Sequence, residues 1–286
     1  MLLKLIAFDL DGTLFDDRKR LPAENRAALQ AAKEQGAVLV PATGRILRGL
    51  PEELLEPGLF RYFIFANGAS VYDQETETQL FSACISPELA VRICEYLDTL
   101  PVLYDCYRGE WGYMTQWMYE AAPEYFTLEP EILKLVKNLR KPVPELKENI
   151  KTVNLPLEKL QIYFRPEQME ERARLLSELP GRFPGIIATS SIRNNIEINS
   201  ILAGKGRALQ ALCAHLGIDT ADAVAFGDGL NDADMLEAAG RGVAMENAVG
   251  AVKRISDAVT ENNNDAGVGK EIFRLLALER QGISAH

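Results

Sequence analysis

The sequence predicts an α/β protein, a doubly wound parallel-sheet core with a smaller α+β domain inserted into it. Three observations carry this. Leu3 to Phe8 is an apolar run broken only by Lys4, the pattern of a strand buried on both faces, and it stops abruptly at Asp9, Leu10, Asp11 and Gly12. The first seventy residues alternate strand and helix signals, and each strand ends in polar or small residues. Beyond that the rhythm changes, and it returns near the C-terminal third. The core is therefore expected over 1–83 and 197–286, with the insert over 84–196 acting as a cap.

Taken in order, 22–35 reads as a helix, with Pro22 in its first turn, alanine-rich propensity and Gly36 as its stop. A second buried strand at 37–40 runs into Pro41-Ala42-Thr43-Gly44-Arg45, and a helix of about ten residues is expected after it. A third strand at 62–66 ends in Asn67-Gly68-Ala69, and a hairpin follows around the polar turn 73–78. Ser86-Pro87-Glu88 opens a helix to about Leu100 with a capping residue, proline at the first helical position and an acidic first turn. Within the insert, 102–107, 110–114, 159–165 and 185–190 suggest strands, and 131–138 and 166–179 suggest helices. The charged, proline-bearing stretch 140–156 matches neither pattern. Residues 195–199 lead back to a helix at 204–216, a buried strand at 223–226 and a helix at 230–239. A short strand at 242–245 and helices at 248–255 and 268–279 close the chain.

Composition narrows the function. The 286 residues are 47 % hydrophobic and 25 % charged, ordinary for a soluble globular protein. A net charge of −10 argues against a nucleic-acid or anionic-membrane partner, so an anionic substrate would need a metal or local positive charge. Cys84, Cys94, Cys106 and Cys213 lack CxxC spacing and look like reduced thiols of a cytoplasmic protein. His215 and His286 are the only histidines, which leaves little room for imidazole chemistry. Lys4 and Asp9 interrupt the first apolar run too early for a signal peptide, and no apolar stretch has the length of a membrane span.

The chemistry concentrates at strand ends. Alternation points Asp9 and Asp11 the same way, so two carboxylates meet at the carboxyl edge of a buried strand. Such a pair needs a positive partner, and Mg²⁺ suits hard oxygen ligands together with a phosphate. One Asp can then attack phosphorus while the other moves a proton. Gly12 and Thr13 would turn backbone N–H groups and a hydroxyl toward phosphate oxygens. A solvated strand-to-loop turn uses the same residue types.

Gly227-Asp228-Gly229-x-Asn231-Asp232 sets another acidic strand end, where Asp228 can complete a magnesium site with Asp9, and Asn231 and Asp232 can orient ligands behind it. The same residues would serve a capped helix start. Thr43 and the Gly44 N–H group can bind a phosphate oxygen, or cap a helix. Lys205 can offer a fixed charge to a phosphoryl group, or sit solvated on its helix, with Glu197 and Asn199 shaping the approach to it.

In chain order these pieces are Asp9-x-Asp11-Gly12-Thr13, Ala42-Thr43-Gly44-Arg45, Asn67-Gly68-Ala69, Glu197-Ile198-x5-Gly204-Lys205-Gly206, Gly227-Asp228-Gly229-x-Asn231-Asp232 and Gly242-Val243-Ala244-Met245-x-Asn247-Ala248. The series resembles the haloacid-dehalogenase-like hydrolases, in the Cof-type subgroup with a C2B-type α+β cap. The resemblance implies Asp9 as nucleophile, and Asp11 as general acid/base with its backbone carbonyl on Mg²⁺. It implies Lys205 and Thr43 on the phosphate, and Asp228 on the metal. Leu10, Gly12, Gly44 and Arg45 would surround the phosphate, with Asn67 and Asn231 at its rim and Asp232 behind the ligands. Pro41 and Ala266 depart from the family pattern, and the loop around Asn263-Asn264-Asp265 receives no role.

The function implied is a Mg²⁺-dependent phosphomonoesterase acting through an aspartyl-phosphate on a small phosphorylated metabolite. By analogy this is a sugar phosphate ahead of FMN, pyridoxal phosphate or a nucleotide. A monomer or homodimer is expected. Trp111, Tyr113 and Trp117 either line the cap pocket or serve as cap core and surface. A phosphomutase and a catalytically silent phosphometabolite-binding regulator are the rivals. The regulator is disfavoured because Asp9, Asp11, Lys205 and Asp228 are all present.

Overall fold

The computed structural model describes residues 3–56 and 58–281. The chain divides into two compact units. The first comprises Met1–Gly44, Pro51–Ser82 and Gly204–His286, and the second Arg45–Leu50 and Ala83–Ala203.

In chain order the strands are β1 (Leu5–Phe8), β2 (Val38–Pro41), β3 (Tyr62–Phe65), β4 (Ser70–Asp73), β5 (Thr78–Ser82), β6 (Leu103–Arg108) and β7 (Trp111–Thr115). They continue as β8 (Arg140–Val143), β9 (Lys159–Tyr163), β10 (Ile186–Thr189), β11 (Asn195–Ser200), β12 (Ala223–Gly227), β13 (Arg241–Ala244) and β14 (Ala258–Val259).

The first unit is built on a parallel sheet of order β14-β13-β12-β1-β2. β1 lies inside it because Leu5, Ile6, Ala7 and Phe8 are wholly buried, as an all-apolar strand covered on both faces must be. Full burial of Leu5, Ile6 or Phe8 contributes about 1.5–3 kcal/mol each. β3, β4 and β5 form an antiparallel sheet, joined to β2 by a parallel bridge from Ala42 to Ile64. Helix Ala23–Glu34 starts after Pro22 and ends before Gly36, whose φ of +91° turns the chain into β2. The chain leaves β1 toward β2 on one side and meets β12 on the other. The carboxyl edge between β1 and β12 is thus a topological switch point, where open α/β sheets bind ligands.

The second unit carries a mixed sheet of order β10-β11-β9-β6-β7-β8. Tyr104, Cys106, Leu160, Ile162, Ile196 and Ile198 occupy alternate strand positions and form one apolar cluster with residues of helices Pro87–Leu97, Leu146–Val153 and Met169–Arg182. Ser86 caps the first of these helices, its hydroxyl accepting from the Leu89 N–H at 3.3 Å.

Several expectations need correction. The return to the core lies at Ala203/Gly204 and not at 197, because β11 pairs with β9 and β10 in the second unit. The helix expected after Arg45 is only a 3₁₀ turn, Leu47–Gly49, and a four-residue helix, Glu52–Leu55. Pro51 separates them by forcing Leu50 into an extended conformation. Arg45–Leu50 belongs to the second unit. The unassigned stretch 140–156 contains edge strand β8 and helix Leu146–Val153; Pro142 is tolerated because that strand has a single neighbour. Helix Gln116–Tyr125 and the two-residue β14 had no expectation.

Candidate active site

The parallel register of β1 with β12 aligns Phe8 with Phe226, so the residues after both strands emerge side by side. Asp9 follows β1, its N–H donating to the Phe226 carbonyl at 3.0 Å, and the residue is 6 % exposed. Asp228 follows β12. Gly12 lies against it with φ +88°, and a Cβ there would stand 2.6 Å from Asp228 Oδ2, so only glycine fits. Thr13 donates its hydroxyl to Asp228 Oδ1 at 2.9 Å.

Lys205 begins helix Lys205–Leu216 and is wholly buried. Gly206 makes this possible, since a Cβ there would meet the Asp234 carbonyl at 2.1 Å, and the close approach drives the lysine into the sheet edge. Its ammonium donates to Asp9 Oδ1 at 2.6 Å and to Asp232 Oδ1 at 2.5 Å. Asp232 is 1 % exposed, and its other oxygen accepts from the N–H groups of Asp228 at 3.0 Å and Gly229 at 2.9 Å.

Carboxylate oxygens of Asp9, Asp228 and Asp232 all lie within 4.8 Å of one another. Three acids thus face one ammonium. Burial pushes the Asp9 carboxyl upward; Lys205 opposes this and Asp232 adds to it. Asp228 is raised to about 6 by burial and by Asp232, against the Thr13 hydrogen bond. Burial would lower Lys205, but Asp232 and Asp9 outweigh it and hold the ammonium above its ordinary value. A pocket of hard oxygen donors with surplus negative charge, whose acids resist ionisation for want of a cation, fits a hard divalent metal.

The other expected residues are placed as follows. Asp11 is not in the acidic cluster, contrary to alternation along an extended chain. The chain turns after Asp9, with the Leu14 N–H bonded to the Asp9 carbonyl at 3.2 Å, and the Asp11 carboxylate meets Lys19 Nζ at 2.8 Å. Asp232, expected behind the ligands, stands in one cluster with Asp9 and Asp228. Leu10 is buried, and its carbonyl accepts from the Phe15 N–H at 2.9 Å. Thr43 is 1 % exposed, and its carbonyl accepts from the Asn67 N–H at 3.0 Å. Asn67, left-handed at φ +58°, lies against Gly44, and its Oδ1 accepts from Asn231 Nδ2 at 3.3 Å.

Three expected residues belong to the second unit. Arg45 donates to the Gly49 carbonyl at 2.8 Å. Glu197 accepts from Lys159 Nζ at 3.0 Å, and Asn199 donates to the Glu158 carbonyl at 2.9 Å. The tryptophans are not core: Trp111 lies under Arg48 and Lys141, and Trp117 is 56 % exposed. Tyr113 lies under Arg108.

Sequence reasoning did not single out Asp234, and it gave no role to Asn247, which stands in one of the motifs, or to the loop of Asn263. Asp234 accepts from the Gly206 N–H at 3.0 Å, and burial raises its carboxyl. Asn247 donates to the Gly12 carbonyl at 2.8 Å and accepts from the Asn263 N–H at 3.1 Å. Asn247 was signalled by its place in a motif, and the other two only by the density of Asn and Asp in their loops.

Residues 6–272 match the family described as haloacid dehalogenase-like hydrolase. The phosphatase YwpJ of Bacillus subtilis is 32 % identical, with 96 % of this chain and all of the relative aligned. The 5-amino-6-(5-phospho-D-ribitylamino)uracil phosphatase YcsE of the same organism is 29 % identical over 94 % of each chain. A solved haloacid dehalogenase-like hydrolase of Bacteroides thetaiotaomicron superposes with a TM-score of 0.80 at 27 % identity, covering 95 % of this chain and 99 % of its own.

Proposed function

Since this chain belongs to the haloacid dehalogenase-like hydrolases, in the Cof-type subgroup, and is a phosphatase of that family, we propose that it is a Mg²⁺-dependent phosphomonoesterase whose nucleophile is Asp9. Its substrate is a small phosphorylated metabolite, with a sugar or sugar-alcohol phosphate as the favoured class; one relative is named for a phosphoribityl compound. The observation that carries the reading is the buried Lys205 ammonium shared by Asp9 and Asp232, in a cluster that Asp228 completes.

Asp9 and Asp228 would hold Mg²⁺, with the Asp11 carbonyl as a further ligand and Asp232 beside them. When bound, the ion neutralises phosphate oxygens and so makes phosphorus open to attack by an anion. Asp9 attacks phosphorus in line, forming an aspartyl-phosphate as the ester P–O bond breaks. Lys205 offers its charge to the transferring group, and Thr43 and the Gly44 N–H bind its oxygens. Asp11 gives its proton to the leaving alkoxide and takes one from the water that hydrolyses the acyl phosphate. Gly12 keeps the turn close to Asp228, and Asn67 and Asn231 border the phosphate. Substrate choice rests with the second unit.

Phosphate release from a panel of sugar, nucleotide and cofactor phosphates, with Mg²⁺ or EDTA, tests this. Release that needs the metal is expected. Absence of release, together with isomerisation that depends on an added sugar bisphosphate, would replace the hydrolase with a mutase.

No helix among the described residues is long and apolar enough to cross a membrane.

A further inference from the structure

One buried asparagine, outside the proposed chemistry, ties together both flanks of the loop that carries Asp11. Asn263 is 2 % exposed. Its backbone N–H donates to Asn247 Oδ1 at 3.1 Å, and Asn247 in turn donates to the Gly12 carbonyl at 2.8 Å. Its side-chain amide donates to the Phe15 carbonyl and to Asp17 Oδ1, each at 3.0 Å. Asn264 extends the second arm, donating to Asp17 Oδ2 at 3.0 Å and accepting from the Asp17 N–H at 3.1 Å.

That arm ends at a tight turn. The Lys19 N–H donates to the Asp16 carbonyl at 2.8 Å and the Asp16 N–H to the Arg20 carbonyl at 3.0 Å, which sets Lys19 at φ +60°. From there the Lys19 ammonium reaches Asp11 Oδ1 at 2.8 Å. The pair is too exposed to add much stability, with the lysine side chain 56 % accessible. Its consequence is geometric, because proton transfer needs the acid within hydrogen-bond reach of the departing oxygen.

We propose that Asn263 is a positioning residue for Asp11, holding the loop at Gly12 on one side and, through Phe15 and Asp17, the turn from which Lys19 orients the Asp11 carboxyl. The inference rests on Asp11 being the acid/base. In the step concerned, an Asp9 oxygen bonds to phosphorus as the ester P–O bond breaks. The bond's electron pair stays on the leaving oxygen, and the proton on Asp11 moves to it. An alkyl leaving group needs that proton, whereas 4-nitrophenolate departs without it. A displaced Asp11 therefore penalises the alkyl ester selectively.

The test is kcat/KM of the full-length protein with Mg²⁺ on an alkyl phosphomonoester and on 4-nitrophenyl phosphate. The variants are Asn263→Ala, Lys19→Gln and Lys19→Arg. The alkyl-to-aryl ratio should fall about 10-fold in Asn263→Ala and in Lys19→Gln, a part of the roughly 10²–10⁴-fold that a general acid contributes, and return in Lys19→Arg. Equal losses on both esters, or an unchanged ratio, would overturn the positioning role. If Asn263→Ala fails to fold, the exposed Lys19→Gln decides by the same criterion. A wild type inactive on both esters would overturn the phosphatase reading as well, and so is distinguishable from failure of the positioning role alone.

Discussion

Each unit buries charge, and the two do so on opposite terms. In the first unit, Asp9, Asp228 and Asp232 crowd around a single ammonium, that of Lys205. In the second, one face of the mixed sheet carries two matched ion pairs. Arg140 Nε donates to Asp105 Oδ2 at 2.6 Å, and Lys159 to Glu197 at 3.0 Å. Tyr163 donates to Asp105 at 2.8 Å, and Gln161 Nε2 and Ser191 donate to Glu197 at 2.9 and 2.7 Å. Buried charges are tolerated when neutralised and hydrogen-bonded, and these two pairs meet that condition except at Asp105 Oδ1, which lacks a hydrogen-bond partner. The first unit does not meet it. The surplus of acid there is a cost to the fold, and a bound cation is what would relieve it.

The largest expected effect lies on the unbalanced side. Asp9→Asn should lower phosphate release at least about 10⁴-fold, since an amide does not attack phosphorus. Metal-free stability in urea should hold or rise, because a buried carboxylate facing two others is gone. Undiminished turnover would sink the nucleophile, and a large loss of stability would break the contrast between the units.

On the balanced side the sign reverses. Arg140→Met should cost about 3–5 kcal/mol in urea unfolding by taking away the cation that faces buried Asp105, and a second substitution, Asp105→Leu, should recover much of that. No recovery would mean that the face is not a mutually neutralised seam.

Mg²⁺ sharpens the comparison. At a concentration 100 times its Kd it should stabilise the wild type by about 2.7 kcal/mol, and Asp228→Asn much less. The sign with pH follows from Asp228, whose carboxyl is raised from 3.8 to about 6. The metal-free fold holds this proton more tightly than the unfolded chain does. The resulting destabilisation is absent below pH ~4 and complete above about 6. Protons and metal compete for the same oxygens, so stabilisation by Mg²⁺ should fade as the pH drops through about 6. Thermal melts across that window check this.

The smallest effect concerns the Thr13–Asp228 hydrogen bond. Thr13→Val should cost about 1 kcal/mol and move the acidic limb of the Mg²⁺ dependence to higher pH, because the bond holds the Asp228 carboxyl down.

Much of the fold was legible because its signals are local. The all-apolar β1, the cap at Ser86, Gly36 after its helix and the acids at two strand ends each depend on a few neighbouring residues. The polar strand β11 was harder. Asn195, Glu197 and Asn199 alternate with Ile196 and Ile198, and their polar side is as buried as their apolar one. Sequence patterning reads polar alternate residues as exposed, so this strand was taken for a connection back to the core. The helix at 116–125 was hidden by Pro123 and by a weak apolar stripe.

By itself the sequence determined the parallel core, the strand ends that carry acid and the lysine at its helix start, all through periodicity and turn chemistry. The sequence also paired Asp9 with Asp228, and tertiary structure alone decided that Asp232 joins them and Asp11 does not. Asp232 joins Asp9 because both accept from Lys205, which lies 196 residues from Asp9 in the chain but 27 from Asp232. Asp11 turns to Lys19, held there by a loop the sequence left without a role. Side-chain direction at a strand end is a local property, whereas the partner it finds is set by packing between distant segments.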